Sequence, residues 1–336
     1  MDTLSLLRTD IEKLRKKSYA VMKKAVGEKV YYRGLLEFSN ICRRDCNYCG
    51  IRKSNSNVKR FELSKEEIVN IASWCAGEGY GSLMLQSGER ESRDFVSFVE
   101  DIVRTTKEKT VSEKLPRGLG ISLSCGEQSK ETYRTWFNAG AHRYLLRIET
   151  TNPELFNKIH PSSVSLQKRK ACLVDLKEVG YQVGTGVMIG LPGQSEEDLA
   201  EDIEFFKEYD IDMIGMGPYI PHKDTPMRDN RSGSIELSLK MVAAVRIAMK
   251  NINIAAATAL QAIDPIGREK ALAFGANIIM PLVTPAEVRK HYQLYDGRPC
   301  INEQTADSKL SLSERIRSMG REIGFNEWGD SRHWRC

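Results

Sequence analysis

Short apolar runs alternate along this chain with longer amphipathic segments. The short runs have the length of buried strands, and the longer ones repeat their apolar residues with a helical period. Two predicted helices carry start signals: Ser64 and Glu67 form a capping-box pair, and acidic residues follow Ser195. The predicted strands are 35–39, 82–87, 119–124, 143–149, 183–190, 212–218, 252–258 and 276–280.

A helical pattern follows nearly every predicted strand. Such βα units favour a closed, parallel (β/α)8 barrel of the TIM type in the α/β class over a doubly wound open sheet. We predict an N-terminal helical extension at 1–30, the barrel at 31–285 and a C-terminal tail at 286–336 that closes it. Chemistry in such barrels lies at the C-terminal ends of the strands.

Composition narrows the function classes. The chain has 336 residues, 41% of them hydrophobic, which is enough for a sizeable core. The net charge of +5 is mild, and no dense block of Lys and Arg indicates nucleic-acid binding. No apolar run approaches a membrane span, and acids interrupt the first residues where a signal peptide would be apolar. We therefore expect a cytoplasmic protein whose eight cysteines need not form disulfides.

Three cysteines stand close together: Cys42, Cys46 and Cys49 lie within eight residues, just after the first predicted strand. The residues between them are too polar for a buried strand. A structural zinc site needs four ligands, and no further cysteine or histidine lies nearby in a loop. Iron–sulfur ligation suits clustered thiolates. Three thiolates leave one iron of a four-iron cube open, and a small molecule could chelate that iron.

The fourth predicted strand has a charged face. At period two, Arg143, Leu145, Arg147 and Glu149 share one side. An edge strand with an ion pair would explain this pattern. An inward face near the mouth of a barrel would instead bind a zwitterion or an anion, because buried charges need partners.

Other polar residues follow predicted strand ends, and each has an ordinary alternative. Ser122 and Ser124 share a face of the third strand, as ligands or as satisfied strand serines. Gly88 and Glu89 follow the second strand, in a site or in a plain βα turn. Arg169 opens the helix after strand four, where an isolated arginine would more often be a surface residue.

The C-x-x-x-C-x-x-C spacing after the first strand of a barrel resembles the signature of the radical S-adenosylmethionine superfamily. The resemblance implies one [4Fe–4S] cluster held by Cys42, Cys46 and Cys49, with S-adenosylmethionine on the open iron. It also implies reductive cleavage of S-adenosylmethionine to a 5′-deoxyadenosyl radical. By the same resemblance the cofactor is bound by Tyr48, Gly88, Glu89, Ser124, Glu149, Arg169, Met188 and Leu191.

Within that superfamily, segments over about residues 30–300 resemble the biotin-synthase-like group and most closely the HydE-type [FeFe]-hydrogenase maturases. Examples are "EFSNICRRDCNYCGIR", "RYLLRIETTNP" and "HYQLYDGRPC". This implies a small substrate in the barrel, described for the family as an iron complex with carbonyl, cyanide and cysteine ligands. The implied substrate contacts are Gln86, Ser122, Arg143, Met213, Thr258, Tyr292 and Tyr295, with Arg143 and Tyr295 also catalytic.

The resemblance further implies an electron donor such as ferredoxin or flavodoxin, and contacts with other hydrogenase maturation proteins. One feature departs from many such maturases, which carry a second cluster site in the tail. The positions eight and eleven residues after Cys300 are Ser308 and Ser311 here. Hydroxyl groups are poor iron–sulfur ligands, so we expect no second cysteine-ligated cluster.

Two alternatives remain open. One is a related radical mutase or synthase on a small amino acid, similar to methylornithine synthase or biotin synthase. The other is a binding or scaffold protein with a vestigial cluster. Loss of Glu89, Glu149 or Arg169 would indicate the scaffold, and all three residues are present.

Overall fold

The computed structural model describes residues 2–299 and 305–334, with the backbone alone for 305–311. The strands are β1 Lys29–Ser39, β2 Ser82–Ser87, β3 Gly120–Ser124, β4 Ala141–Leu145, β5 Gln182–Thr185, β6 Met188–Ile189, β7 Met213–Ile214, β8 Gly217–Pro218, β9 Asn253–Ile254, β10 Ile278–Ile279 and β11 Glu322–Ile323. The helices are α1 Thr3–Leu7, α2 Ile11–Ala25, α3 Lys65–Gly77, α4 Arg93–Lys109, α5 Lys130–Asn138, α6 Pro153–Ile159, α7 Leu166–Val179, α8 Glu196–Glu208, α9 Ile235–Ala248, α10 Thr258–Ile263, α11 Gly267–Ala273, α12 Ala286–Arg289 and α13 Thr305–Ser318.

Eight parallel strands form a nearly closed barrel. Their order is β1, β2, β3, β4, β5, β7, β9 and β10, and β10 pairs with β1. The seam between β9 and β10 is a single bridge from Ala255 to Ile278 with flanking backbone hydrogen bonds. Helices pack around the outside. The predicted (β/α)8 barrel is therefore confirmed.

Close contact between two glycines shortens two predicted strands. The predicted strand 183–190 divides into β5 and β6, and 212–218 divides into β7 and β8. A β-carbon on Gly186 would lie 1.9 Å from the carbonyl oxygen of Gly215. Only glycine allows this approach. Beyond it, β6 and β8 pair with each other near the mouth.

The fourth and seventh barrel strands also end earlier than predicted. β4 stops at Leu145, and Glu149 adopts a left-handed φ of 66° instead of continuing the strand. β9 has only two residues, and Thr258 begins α10. The two predicted helix starts are confirmed, since Ser64 and Ser195 both cap their helices in capping boxes.

The two ends of the chain lie outside the barrel wall. α1 and α2 pack against α8 and α9. β11 pairs with the first residues of β1, so the last part of the tail covers the N-terminal end of the barrel. There the Trp328 indole donates to the carbonyl of Gly118 over 2.8 Å. Among the described helices, none combines the length and apolarity that crossing a membrane requires.

Candidate active site

A cavity of about 240 Å³ opens at the C-terminal ends of the barrel strands. One wall is the loop after β1, which carries the three clustered cysteines. The segment after α12 lies beside this loop, since the backbone N–H of Gly50 donates to the carbonyl of Leu294 over 3.0 Å. The rest of the lining includes residues at or after the ends of β2, β3 and β4: Gly88, Glu89, Ser124, Gly126, Arg147 and Glu149. These five parts of the sequence converge on this space, as expected for a barrel mouth.

The cysteine loop presents three free thiols to the cavity. Cys46 is buried, and Cys42 and Cys49 are partly exposed. Cys42 Sγ accepts backbone N–H groups from Arg44 and Glu89, both at 3.4 Å. Burial raises the pKa of each thiol, to about 12 for Cys46. A positive metal centre would reverse this effect, because it deprotonates the thiols that bind it.

Gly88 fits the backbone of the cysteine loop. A β-carbon at this position would lie 2.4 Å from the carbonyl oxygen of Ile41 and 2.8 Å from Cβ of Cys42. The backbone N–H of Arg43 donates to the carbonyl of Glu89 over 2.9 Å. The turn after β2 therefore supports the loop that carries the thiols.

Glu149 lines the cavity next to Tyr48 of the cysteine loop. Its left-handed backbone is held by hydrogen bonds to Gly186 and from Met188, each 3.0 Å. The Tyr48 hydroxyl donates to its carboxylate over 3.4 Å, and Arg147 pairs with it at 2.9 Å. A non-glycine residue in this conformation costs about 1–3 kcal/mol, which the surrounding structure must offset. The cost is consistent with a functional position for the carboxylate.

Arg169 is one of three arginines that line the cavity, with Arg44 and Arg147. Its Nε donates to Glu127 over 2.9 Å, and its Nη1 donates to the carbonyl of Arg147 over 3.1 Å. The cavity thus combines three thiols with carboxylates and guanidinium groups. This set of groups can hold an iron–sulfur cluster beside a zwitterion.

Sequence comparison agrees with this chemistry. Residues 36–206, half of the chain, match the model of the Radical SAM superfamily. The chain belongs to that superfamily. It is 43% identical to the [FeFe] hydrogenase maturase subunit HydE of Thermotoga maritima, over 95% of this chain and 88% of that protein. It is 27% identical to the 3-methylornithine synthase of Methanosarcina acetivorans, over 96% and 89%.

Structure comparison gives the same fold. The crystal structure of methylornithine synthase (PylB) superposes with a TM-score of 0.81, covering 96% of this chain and 93% of that one at 24% identity. As a radical SAM enzyme, the protein uses a [4Fe–4S] cluster and S-adenosylmethionine. The donors described above fit both groups.

Most residues predicted to bind S-adenosylmethionine in this radical SAM enzyme line the cavity. They are Tyr48, Gly88, Glu89, Ser124, Glu149, Arg169 and Met188. Leu191 instead packs beside Met188 in a small apolar cluster with Ile159 and Tyr219. Their individual roles remain predictions.

The residues predicted to bind substrate divide into two groups. Gln86, Tyr292 and Tyr295 line the cavity, and the Gln86 amide donates to the Tyr292 hydroxyl over 3.2 Å. Burial raises the pKa of Tyr295 to about 12.

The second group lies elsewhere. Ser122 is buried deeper in β3 than Ser124, and Met213 lines a separate cavity of about 20 Å³ below. Thr258 starts α10 between the two alanines that line the main cavity. The predicted substrate contacts of these three residues remain predictions.

The structure also corrects the position of Arg143. The side chain points into the barrel, as alternation predicts, and lies opposite Ser122. Its guanidinium, however, pairs with Asp330 and donates to the carbonyl of Trp328 over 2.7 Å. Both partners belong to the tail at the N-terminal end of the barrel. Leu145 lines the cavity above it, and the substrate-binding and catalytic roles of Arg143 remain predictions.

Sequence reasoning missed two charged residues of this site. Arg44 lies between the first two cysteines and lines the cavity, and Glu127 binds both Arg44 and Arg169. One signal could have found Glu127. It follows Gly126 directly after β3, just as Glu89 follows Gly88 after β2.

Gly88→Ala is expected to lower both bound iron and S-adenosylmethionine cleavage, the latter by about 10²-fold. The added methyl group cannot fit against Ile41 and Cys42, so the cysteine loop must shift, and a shift of about 1 Å costs roughly that much in rate. Iron analysis and 5′-deoxyadenosine formation measure the effect. Gly77→Ala is the control, because a β-carbon there meets nothing within 4 Å. Full iron content and activity in Gly88→Ala would contradict the role of this contact.

Proposed function

We propose that this protein takes part in maturation of the [FeFe]-hydrogenase active site, the H-cluster. The observation that carries the proposal is the 43% identity to the HydE maturase subunit over 95% of this chain. The cavity supports it, because the cysteine loop, Glu149, Tyr292 and Tyr295 line one space.

In this proposal Cys42, Cys46 and Cys49 hold the cluster, and the cavity residues hold S-adenosylmethionine. When bound and reduced, the cluster supplies the electron that cleaves the cofactor to methionine and a 5′-deoxyadenosyl radical. Glu149 accepts the methionine ammonium, and Arg169 pairs with the carboxylate. Gly88 and Glu89 offer backbone carbonyls to the amino group. Tyr48, Ser124, Met188 and, behind it, Leu191 border the adenosine.

The substrate is proposed to bind between the cofactor and the residues Gln86, Tyr292 and Tyr295. The proposed substrate is a small iron complex with carbonyl, cyanide and cysteine ligands. Tyr295 keeps its proposed catalytic role, since its buried hydroxyl stays protonated and can donate a hydrogen bond. An enclosed site favours a radical reaction, because it holds the substrate close and excludes alternatives.

A cell-free maturation mixture tests this proposal. The mixture contains apo-hydrogenase, the other maturation proteins and this protein with a reconstituted cluster. We expect hydrogen evolution that depends on this protein and on S-adenosylmethionine. Cleavage of S-adenosylmethionine without any hydrogenase activation would reject the maturation role and keep only the radical chemistry.

A second candidate is a radical mutase on a small amino acid. It is favoured by the 27% identity to a 3-methylornithine synthase over 96% of this chain. Incubation with lysine, S-adenosylmethionine and dithionite distinguishes the two, provided that the amino acids are separated by chromatography before mass spectrometry, because methylornithine and lysine are isomers of equal mass. Formation of methylornithine would favour the mutase. An electron donor such as ferredoxin or flavodoxin, contacts with other maturation proteins and a cytoplasmic location remain predictions.

Anaerobic reconstitution is expected to yield about four iron atoms per chain, as in a single cube. Cys300 lies outside the described residues, and the side chains of Ser308 and Ser311 are not described either. The expectation therefore rests on the sequence, in which serines replace the two tail cysteines. Iron analysis with Mössbauer spectroscopy measures the cluster content. About eight iron atoms in well-defined clusters would contradict a single cluster.

A further inference from the structure

Glu127 is a buried carboxylate behind the wall of the cavity. It follows Gly126 after β3, and none of its side chain is exposed to solvent. Buried carboxylates are rare unless cations compensate them. Arg169 donates from Nε to Oε1 over 2.9 Å, and Arg44 donates from Nη2 to Oε2 over 3.1 Å. Each carboxylate oxygen therefore holds a different arginine.

The two arginines come from distant parts of the sequence. Arg44 belongs to the cysteine loop, and Arg169 lies in the first half of α7. Arg44 also pairs with Glu89, whose second oxygen accepts the backbone N–H of Glu127 over 3.1 Å. Glu127 is thus the point at which the cysteine loop and α7 are joined.

These contacts fix the plane of the Arg169 guanidinium. The group is planar and carries five N–H donors in a rigid fork. One donor binds Glu127 and another binds the carbonyl of Arg147. Two fixed donors determine the orientation of the whole group. Its other donors are left for a ligand in the cavity that Arg169 lines.

We infer that Glu127 is a positioning residue for S-adenosylmethionine: it orients Arg169 toward the cofactor carboxylate and, through Arg44, ties Arg169 to the cysteine loop. This inference rests on the proposed function. Without the negative charge of Glu127, the hydrogen bond at Arg169 Nε is weakened, and a neutral amide at this position could accept from only one of the two arginines. The two arginines would also share a buried region without the carboxylate between them. Arg169 would then no longer be held in one orientation.

Glu127→Gln tests the inference, because it keeps the shape of the side chain and removes the charge. Calorimetry on the reconstituted protein should show S-adenosylmethionine affinity lowered about ten- to a hundred-fold, the range for a lost charge-assisted contact. Iron content should be unchanged. The KM for S-adenosylmethionine should rise, while 5′-deoxyadenosine formation at saturating cofactor changes little. The change that the cofactor produces in the electron paramagnetic resonance spectrum of the reduced cluster should need correspondingly more cofactor.

A double-mutant cycle separates positioning from a merely structural role. If Glu127 acts through Arg169, the double variant Glu127→Gln/Arg169→Met should bind S-adenosylmethionine no more weakly than Arg169→Met alone. A structural role would make the two losses additive. Glu91→Gln is the matched control. The Glu91 carboxylate pairs with Arg43 but is largely exposed. The Glu91→Gln protein should therefore bind S-adenosylmethionine with the affinity of the wild type.

Unchanged affinity in Glu127→Gln, or additive losses in the cycle, would overturn the inference and leave the proposed function intact. Wild-type protein that carries its full cluster and binds no S-adenosylmethionine would overturn both. If Glu127→Gln does not fold, Glu127→Asp replaces it. That variant keeps the charge and withdraws the carboxylate by about 1.5 Å. Its affinity should fall several-fold, and wild-type affinity would overturn the inference.

Discussion

Serine at Cys42, Cys46 or Cys49 is expected to reduce 5′-deoxyadenosine formation to background. Each thiolate is proposed to hold a different iron, so no cysteine of the loop can replace another. Serine keeps nearly the same shape, but its hydroxyl is a poor ligand for iron. Iron analysis, the visible absorption of the cluster and chromatographic measurement of 5′-deoxyadenosine check the result.

Cys75→Ser is the matched control for these three variants. Cys75 is buried in α3, outside the cysteine loop. A serine in a helix can donate its hydroxyl to the carbonyl one turn earlier, so the substitution is tolerable in that position. We expect wild-type iron content and activity. A loop variant that keeps both the full cluster and wild-type cleavage would refute the assignment of that ligand.

The architecture of the barrel could be predicted because it depends on local patterns. Alternating apolar runs and helical segments determine the order of the elements, and Ser64 and Ser195 mark helix starts that the structure confirms. The division of two strands could not be predicted in the same way. It depends on contact between Gly186 and Gly215, which lie at the two breaks and far apart in the sequence.

In the candidate site, too, features that depend on a local sequence pattern could be predicted, and features that depend on contacts between distant residues could not. The three cysteines lie within eight residues of the sequence, so their spacing alone identifies the loop. Glu127 functions through arginines from two other segments, and no local pattern joins them. Arg143 was misplaced for a related reason. Strand alternation determines the side to which a residue points, but not the end of the barrel that a long side chain reaches.

The side chain of Arg143 extends toward the N-terminal end of the barrel because it pairs there with the carboxylate of Asp330, 187 residues later in the chain. The side chain of Arg143 is fully buried, and its Nε and Nη1 have no hydrogen-bond partner among the described residues. Asp330 supplies the compensating charge and also accepts hydrogen bonds from Gln182 and His142. The His142 ring in turn stacks on Trp328 with centroids 4.6 Å apart. This group closes the N-terminal end of the barrel.

Asp330→Asn is therefore expected to destabilise the protein by about 3 kcal/mol. Removing one partner of a buried ion pair leaves the other charge uncompensated, at a typical cost of about 3–5 kcal/mol, and partial exposure of Asp330 puts this case at the lower end. Urea unfolding should give a lower midpoint with an unchanged slope. The double variant Arg143→Met/Asp330→Asn should recover most of the loss, because the uncompensated charge of Arg143 is then absent. A double variant as unstable as the single one would contradict this explanation.

The dependence of stability on pH provides an independent check on the same group. The Arg143 guanidinium and the hydrogen bonds to Asp330 outweigh its burial and lower the pKa of its carboxyl well below the usual value. The stability from Asp330 is thus present above the unfolded pKa of about 3.9 and lost as the pH falls below it. Burial also lowers the pKa of His142 to about 3. The unfolded chain binds a proton at His142 below about pH 6.5, whereas the folded protein does not until about pH 3. As the pH is lowered across that interval, His142 should therefore reduce the free energy of unfolding by about 1.4 kcal/mol per pH unit. The difference in the free energy of unfolding between the wild type and Asp330→Asn should be constant from about pH 8 to 5 and should become smaller below about pH 4. A difference that widens in acid would show that the charge of Asp330 does not stabilise this end of the barrel.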